Sequence, residues 1–374
     1  MYSFPPFFLT VMQPEPEQAP VRGGWFFGDQ RYTIEGENRM LTKRQNMVET
    51  MKGGRPDRFV KGYEALALVM TPFALSNLRP VKGAPSLKNR WGVTICFPAN
   101  APGPFPVHDA EHIVIKDIEH WRDYVTVPDP VMPAEAWEET IRQVEAIDRN
   151  EYFVAPFVAP GVFEQSHYLL EIANCLTAFY TNPDELHEIY DMITEFELRC
   201  AEDICRHIKP DALFHHDDWG SQKSSFISPA MFEEFLLPCY KQIYGYYKSH
   251  GVECIVHHSD SYGENLVPYM VEMGMDVWQG AMSTNNIPKI LAEYGGKLTL
   301  MGGIDNGKVD REDWTRDLIR EETFRACREY GTKYYIPCTT MGDPASIFPG
   351  VYEAVMEEID NASAEMFPSG AAGA

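Results

Sequence analysis

Basic side chains are scarce in this chain of 374 residues: 32 Lys and Arg stand against 55 Asp and Glu, a formal charge of −23. Binding to nucleic acid needs clustered Lys and Arg to neutralise phosphates, so no nucleic-acid partner is expected. Long apolar runs are lacking too. The opening stretch MYSFPPFFLTVMQPEPEQAP has an apolar patch, but prolines interrupt it and no positive charge precedes it. Neither a signal peptide nor a membrane-spanning helix is therefore expected, and a cytoplasmic location is. Cysteine is sparse as well: eight residues lie scattered with no CxxC pair, in a chain too long to need stapling, which points to a reducing compartment. No GxGxxG follows the first strand-like segment, which sets aside a dinucleotide-binding sheet.

What is present is a full complement of core residues. Hydrophobic side chains make up 44% and aromatics 13%, too much for a disordered acidic chain. Residues 1–36 are broken by Pro and Gly and read as an N-terminal arm. Residues 40–51 read as a helix ended by Gly53-Gly54, and 63–70 as an apolar stretch. Residues 71–131, rich in Pro, Gly and Asn, read as an insertion of hairpin and loop with a strand at 91–97. Beyond Pro130 the pattern is regular, with strands expected at 152–158, 211–216, 252–258, 276–279, 297–301 and 334–337. Helices are expected between and after them at 134–150, 163–180, 183–208, from Ser228-Pro229 to Gly251 with a kink at Pro238, and at 264–273, 288–294, 310–330 and 344–366. This alternation means parallel βαβ units, and the expected fold is an α/β (β/α)8 TIM barrel forming a single domain over 37–374.

In such a barrel chemistry sits where strands end. The expected strand ends carry His215-His216-Asp217-Asp218, His257-His258-Ser259-Asp260, Gln279, Gly302-Gly303-Ile304-Asp305 and Cys338-Thr339-Thr340. With a strand period of two, His258 shares a face with Val256 and Cys254, and His257 points away. His258, Asp260 and Cys338 could then give imidazole, carboxylate and thiolate to a zinc ion with a fourth position open. The alternative is a buried core thiol and a hydrogen-bonded structural histidine. The adjacent Asp217 and Asp218 repel, which suits general acid work or binding of a polar substrate, with loop bracing as the other reading. His216 and Asp218 are the catalytic candidates, and Asp217, Gln222, Tyr262, Gln279 and Asp305 the substrate-binding ones. Tyr63, Trp219, Tyr262 and Trp278 are the aromatic residues expected around the mouth. His112, His120 and His250 read as surface residues.

Several segments together resemble the uroporphyrinogen decarboxylase superfamily over most of the chain from about Met40. They are RQNMVETMKGGRPDR (44–58), Trp91-Gly92-Val93, Gly161-Val162-Phe163-Glu164, Asp217-Asp218-Trp219-Gly220-Ser221-Gln222 with Ser228-Pro229, His258-Ser259-Asp260, Gly302-Gly303-Ile304-Asp305 and Pro337-Cys338. The superfamily contains the decarboxylase and the zinc-dependent methyltransferases that work with corrinoid (cobalamin) proteins. The decarboxylase's RQAGR-type substrate-binding segment is absent here, and a net charge of −23 suits a polycarboxylate tetrapyrrole poorly. In the methyltransferase branch zinc sits on His-x-Cys and a later Cys. His258 and Cys338 match, whereas Asp260 stands in place of the first Cys. A carboxylate hardens the site toward oxygen, so the resemblance implies zinc acting as a Lewis acid on a methoxy oxygen while a Co(I) corrinoid takes the methyl, as in aromatic O-demethylation. The partners implied are a small-molecule methyl donor and a corrinoid protein, and the arm and the 71–131 insertion are surfaces through which a homodimer could form. Two other readings stay open: a cofactor-free decarboxylase and a non-catalytic small-ligand or corrinoid-binding relative.

Overall fold

Short apolar segments recur between helices, and seven of them lie side by side as a parallel sheet. The structure, a computed structural model, describes residues 40–77, 79–101, 103–340 and 346–367. The expected arm at 1–36 lies outside them. In chain order β1 (Leu66–Met70) comes first, followed by three short strands, β2 (Leu87–Lys88), β3 (Thr94–Cys96) and β4 (Phe105–Pro106), which form a separate antiparallel sheet within the expected insertion. Then come β5 (Phe153–Val158), β6 (Ala212–His216), β7 (Cys254–His258), β8 (Val277–Ala281), β9 (Thr299–Gly303) and β10 (Tyr335–Cys338). The main sheet runs β1-β5-β6-β7-β8-β9-β10, so each later strand adds beside its predecessor through a helical crossover.

The fold is α/β and TIM-barrel-like, with seven strands curling into the sheet among the described residues; an eighth strand closing the barrel is not among them. The residues that precede β1 make a helix instead of a strand. Thr42 and Gln45 form a reciprocal capping box that starts α1 (Lys43–Lys52), and Gly53 at φ 63 ends it. This helix lies across the N-terminal ends of the strands. Arg44 N–H donates to Glu151 O just before β5 (3.0 Å), and Tyr334 N–H, just before β10, donates to Thr50 O (2.9 Å). The two sheet edges approach where Gly62 N–H donates to Pro337 O (3.3 Å).

Side chains alternate across the sheet as strand geometry requires. Phe153, Ala155, Ala212, Phe214, Cys254, Val256, Val277, Met301, Ile336 and Cys338 form one apolar cluster with Met47 of α1. Their chain neighbours Val154, Leu213, Ile255, Trp278, Leu300 and Tyr335 join the larger cluster beneath the helices. Each strand is thus buried on both faces, as parallel sheets are.

Most expected helices form near their expected positions, and the departures have local causes. After α2 (Pro72–Ser76) and α3 (Ala134–Glu145), the stretch 163–180 splits into α4 (Val162–Leu170) and α5 (Ile172–Thr181). Glu171 sits between them at φ 75 and accepts from Ala173 N–H and Asn174 N–H, so its carboxylate starts a second helix. The long α6 (Pro183–Ile208) follows. Ser228 caps α7 (Pro229–Met231), a π-helical turn at Phe232–Leu236 leads into α8 (Leu237–Ser249), and the disturbance lies just ahead of Pro238, which has no N–H to give. Then come α9 (Val267–Glu272), α10 (Ile287–Tyr294), α11 (Asn306–Val309), α12 (Arg316–Tyr330) and α13 (Val351–Met366). Thr315 caps α12, so the helix starts later than position 310; residues 341–345, part of the expected last helix, lie outside the described set. Among the described residues no helix is long and apolar enough to cross a membrane.

Two buried carboxylates lock loops at the C-terminal end of the sheet. Asp217 accepts from Phe163 N–H and Glu164 N–H (2.8 Å each) at the start of α4, and from the Tyr240 hydroxyl. A Cβ on Gly161 would lie 2.6 Å from the Asp217 Cβ, so this close approach requires glycine. Glu322 of α12 accepts from Asp305 N–H (3.1 Å), Lys308 Nζ (2.9 Å) and Arg325 Nε (3.0 Å). Burial pushes the Glu322 carboxyl up, yet the bonds from Arg325, Lys308 and Asp305 outweigh it and hold it below its usual value.

Asp217→Ala removes a helix cap and leaves the buried Tyr240 O–H, which still accepts from Trp219 Nε1, with no acceptor, and is expected to cost about 3 kcal/mol in urea unfolding. Glu322→Gln is expected to cost about 2 kcal/mol at pH 7. Because the folded-state value of Glu322 is depressed, its contribution is complete above the unfolded carboxylate value of about 4.3 and is lost as pH falls through the folded value. Urea titrations at pH 7 and at pH 3 should therefore show the gap between Glu322→Gln and the parent chain narrowing in acid.

Candidate functional site

Strands β6 and β7 pair in a register that sets His215 beside His257 and His216 beside His258, with Gln279 of β8 next to His258. Alternation then sends one imidazole of each strand inward and one outward. The inward rings of His216 and His258 stack with centroids 4.3 Å apart and planes 18° from parallel. Just past β6, Asp218 places Oδ1 3.8 Å from His258 Nε2 and accepts from Asp260 N–H (2.9 Å). Ligand atoms of His216, Asp218 and His258 all lie within 4.8 Å of one another.

Each inward imidazole is held through its other nitrogen. His216 Nδ1 lies 2.9 Å from Glu164 Oε2, and His258 Nδ1 bonds Gln279 Oε1. The Gln279 amide is itself oriented by donation from Nε2 to Thr340 O (3.2 Å), so its oxygen faces His258, Nδ1 carries the proton and Nε2 keeps a lone pair. That His258 Nε2 is buried and has no hydrogen-bond partner. Burial, and then the neighbouring His216, lower the pKa of His258, while burial lowers that of His216, so both favour the neutral, ligating form.

Carboxyl groups crowd the same place. Burial and the Asp218 charge raise Glu164 well above its usual value, with Arg79 opposing. Burial and Asp218 likewise push Asp260 up to about 7. Beneath the imidazoles lies an aromatic floor. Phe157 and Phe214 stack at 5.6 Å, Tyr63 meets Phe214 at 5.9 Å, and the two Phe rings lie 6.4 Å from His216 and 6.3 Å from His258.

The expected residues distribute unevenly around this centre. His216, Asp218, His258 and Gln279 are in it, Gln279 as the orienter of an imidazole. Asp260 lies beside Asp218, but the ligand atoms that converge are those of His216 and Asp218 with His258, in place of the expected Asp260 and Cys338. Cys338 is on β10, separated from β7 by β8 and β9, and packs in the inner apolar cluster, where burial pushes its thiol up to about 12. Asp217 braces α4 rather than facing a substrate. Asp305 caps α11 by accepting from Gly307 N–H (3.0 Å), and Gln222 is exposed on the turn bridged by Gly220 and Ser225. Tyr262 is half-buried, its N–H given to Ser221 O (2.8 Å).

Trp219 and Trp278 point outward into the layer beneath the helices, away from the mouth where they were expected, because their strand and loop positions fall on the outer side of the alternation. His112 and His120 pair with Asp109 and Asp117 away from the site, and His250 is exposed. Sequence reasoning assigned no role to Glu164, Phe157 or Phe214. For Glu164 the available signal was its place in the Gly161-Val162-Phe163-Glu164 segment.

No curated protein matches the sequence. Among solved structures, a methyltransferase from Methanosarcina mazei shares the fold with a TM-score of 0.59 at 14% identity, covering 86% of this chain and 99% of that one. A B12-independent methionine synthase from Shewanella sp. W3-18-1 aligns more loosely, with a TM-score of 0.41 at 12% identity over 64% of this chain and 67% of that one. The family model for uroporphyrinogen decarboxylase (URO-D) matches residues 92–361, which span the imidazole row and the strands around it, and the chain belongs to that family.

Proposed function

We propose that this chain is a methyltransferase within the URO-D family, taking a methyl group from a small methylated substrate, first among them a methoxy-aromatic one, and passing it to a corrinoid protein. The metal is a zinc ion on His216, Asp218 and His258. The observation that carries this reading is the buried, partnerless Nε2 of His258 facing Asp218 beside His216. An orphaned buried polar atom costs about 1–3 kcal/mol, and a cation at this point removes the cost and favours the ionised forms of Glu164 and Asp260 that burial and Asp218 disfavour. Two imidazoles and one carboxylate are also a ligand set of catalytic zinc with an open position, so the residues fit the ion.

Once bound, zinc supplies Lewis acidity toward a substrate oxygen. The rest falls to the chain's own groups. Glu164 and Gln279 fix both imidazoles through Nδ1 and raise their basicity. The Tyr63, Phe157 and Phe214 floor takes the flat face of an aromatic ring and keeps water from beneath it. The methyl carbon leaves the ether oxygen without the bonding pair, which stays on that oxygen, and Co(I) of the partner supplies the new pair. Phe226 and Phe348, exposed on the loops after β6 and β10, offer an apolar rim to that partner. Support for methyl transfer also comes from the fold shared with the Methanosarcina mazei methyltransferase.

Elemental analysis of the purified chain should find stoichiometric zinc in the parent and in Cys338→Ala, and none in His258→Ala. Incubated anaerobically with methoxylated aromatics and a Co(I) corrinoid, the parent should develop methyl-cobalt absorbance, and His258→Ala should be slower by at least about a hundredfold. Carbon dioxide release from an acid substrate, insensitive to chelators, would instead identify a metal-free decarboxylase. Glu164→Gln, which weakens the hold on His216, is expected to lower zinc affinity by about ten- to a hundredfold in competition with a chromophoric chelator.

A further inference from the structure

Behind the metal row, on the outer face of the same two strands, the imidazoles of His215 and His257 are held by a single hydroxyl. Tyr244 of α8 bonds His215 Nδ1 at 2.9 Å and His257 Nδ1 at 2.6 Å. The chain of contacts continues both ways. His215 Nε2 lies 3.1 Å from Glu197 Oε2 of α6, and His257 Nε2 lies 3.0 Å from Asp217 O. All five of these residues are buried, and Trp219 stacks on His257 with centroids 4.1 Å apart.

Two roles are open to such a chain: carrying a proton into the site, or holding the site in place. The end point decides between them. A main-chain carbonyl neither gives up nor passes on a proton, so a chain that ends on Asp217 O is not a wire. The same Asp217 gives its N–H to His258 O (3.1 Å), so the residue joining His216 to Asp218 is tied to β7 through both of its backbone polar groups. His257 can reach Asp217 O only while its ring is held in one orientation, and Tyr244 holds the other end of that ring.

We propose that Tyr244 is a positioning residue for the His216–Asp218–His258 centre: its hydroxyl, bridging the outward imidazoles of adjacent strands, sets the spacing of the inward imidazoles and of Asp218. This rests on the metal reading above, and the test separates the two. The probe is Co²⁺ alone, titrated into the metal-free full chain and followed by its visible absorbance.

The parent should bind with a defined spectrum. Tyr244→Phe, with unchanged circular dichroism, should bind about tenfold more weakly with an altered band shape, whereas Tyr247→Phe, a packing control on the same helix, should match the parent. Equal binding by Tyr244→Phe and the parent overturns the positioning role and leaves the metal reading standing. Should the parent take up no Co²⁺, the metal reading falls. The positioning role is then decided by a crystal structure of Tyr244→Phe: rings of His216 and His258 still 4.3 Å apart overturn it, and a widened or rotated pair supports it. If Tyr244→Phe does not fold, His257→Gln serves in its place, since its amide nitrogen reaches Asp217 O but not Tyr244.

Discussion

The pairing of β6 with β7 is the constraint on which the rest depends. Two strands each end in His-His, in register, and a period of two forces one imidazole of each pair to either side of the sheet. Both faces are buried, so every ring nitrogen needs a partner. On the outer face Tyr244 and the Asp217 carbonyl supply three of the four, and the fourth nitrogen, His215 Nε2, lies 3.1 Å from Glu197 Oε2 without a hydrogen bond. On the inner face Glu164 and Gln279 supply only the Nδ1 partners, and His258 Nε2 is left with none. The outer unbonded nitrogen sits against a carboxylate at 3.1 Å, whereas the inner one is 3.8 Å from Asp218 Oδ1, and it is the inner side that leaves room for a ligand.

Charge reinforces the asymmetry. Glu164, Asp217, Asp218 and Asp260 gather at this end of the sheet, yet Asp217 is absorbed by two helix N–H groups and a tyrosine, and it carries the peptide that places Asp218. The other three face a mouth whose described surroundings bring Arg79 as the opposing charge on Glu164. The overall acidity of the chain therefore has a local counterpart at the site. A cation answers it; a polycarboxylate would add to it.

Much of the fold was legible from periodicity and punctuation. Six of the seven strands of the main sheet, the Ser228 cap and the Gly53 stop were expected from local patterns, with β1 read only as an apolar stretch. How the sheet closes was not legible, because regular βα alternation implies a barrel without stating its closure; among the described residues seven strands form the sheet and α1 lies across their N-terminal ends. Nor was the break at Glu171, where a carboxylate four residues past His167 starts a new helix in a segment of unbroken helical pattern.

For the site, the inward direction of His258 followed from its strand position alone, as did the outward direction of His257. The sequence by itself thus determined which strand-end groups enter the interior, because side-chain direction is a property of a single strand. Which of those groups meet was decided only in three dimensions. Cys338 also points inward, yet strand order puts β8 and β9 between it and His258, while Glu164, from a helix three elements earlier in the chain, closes on His216 at 2.9 Å. Distance across a curled sheet depends on strand order, curvature and the capping contacts that seat each helix, and none of these is a local property of the residues concerned.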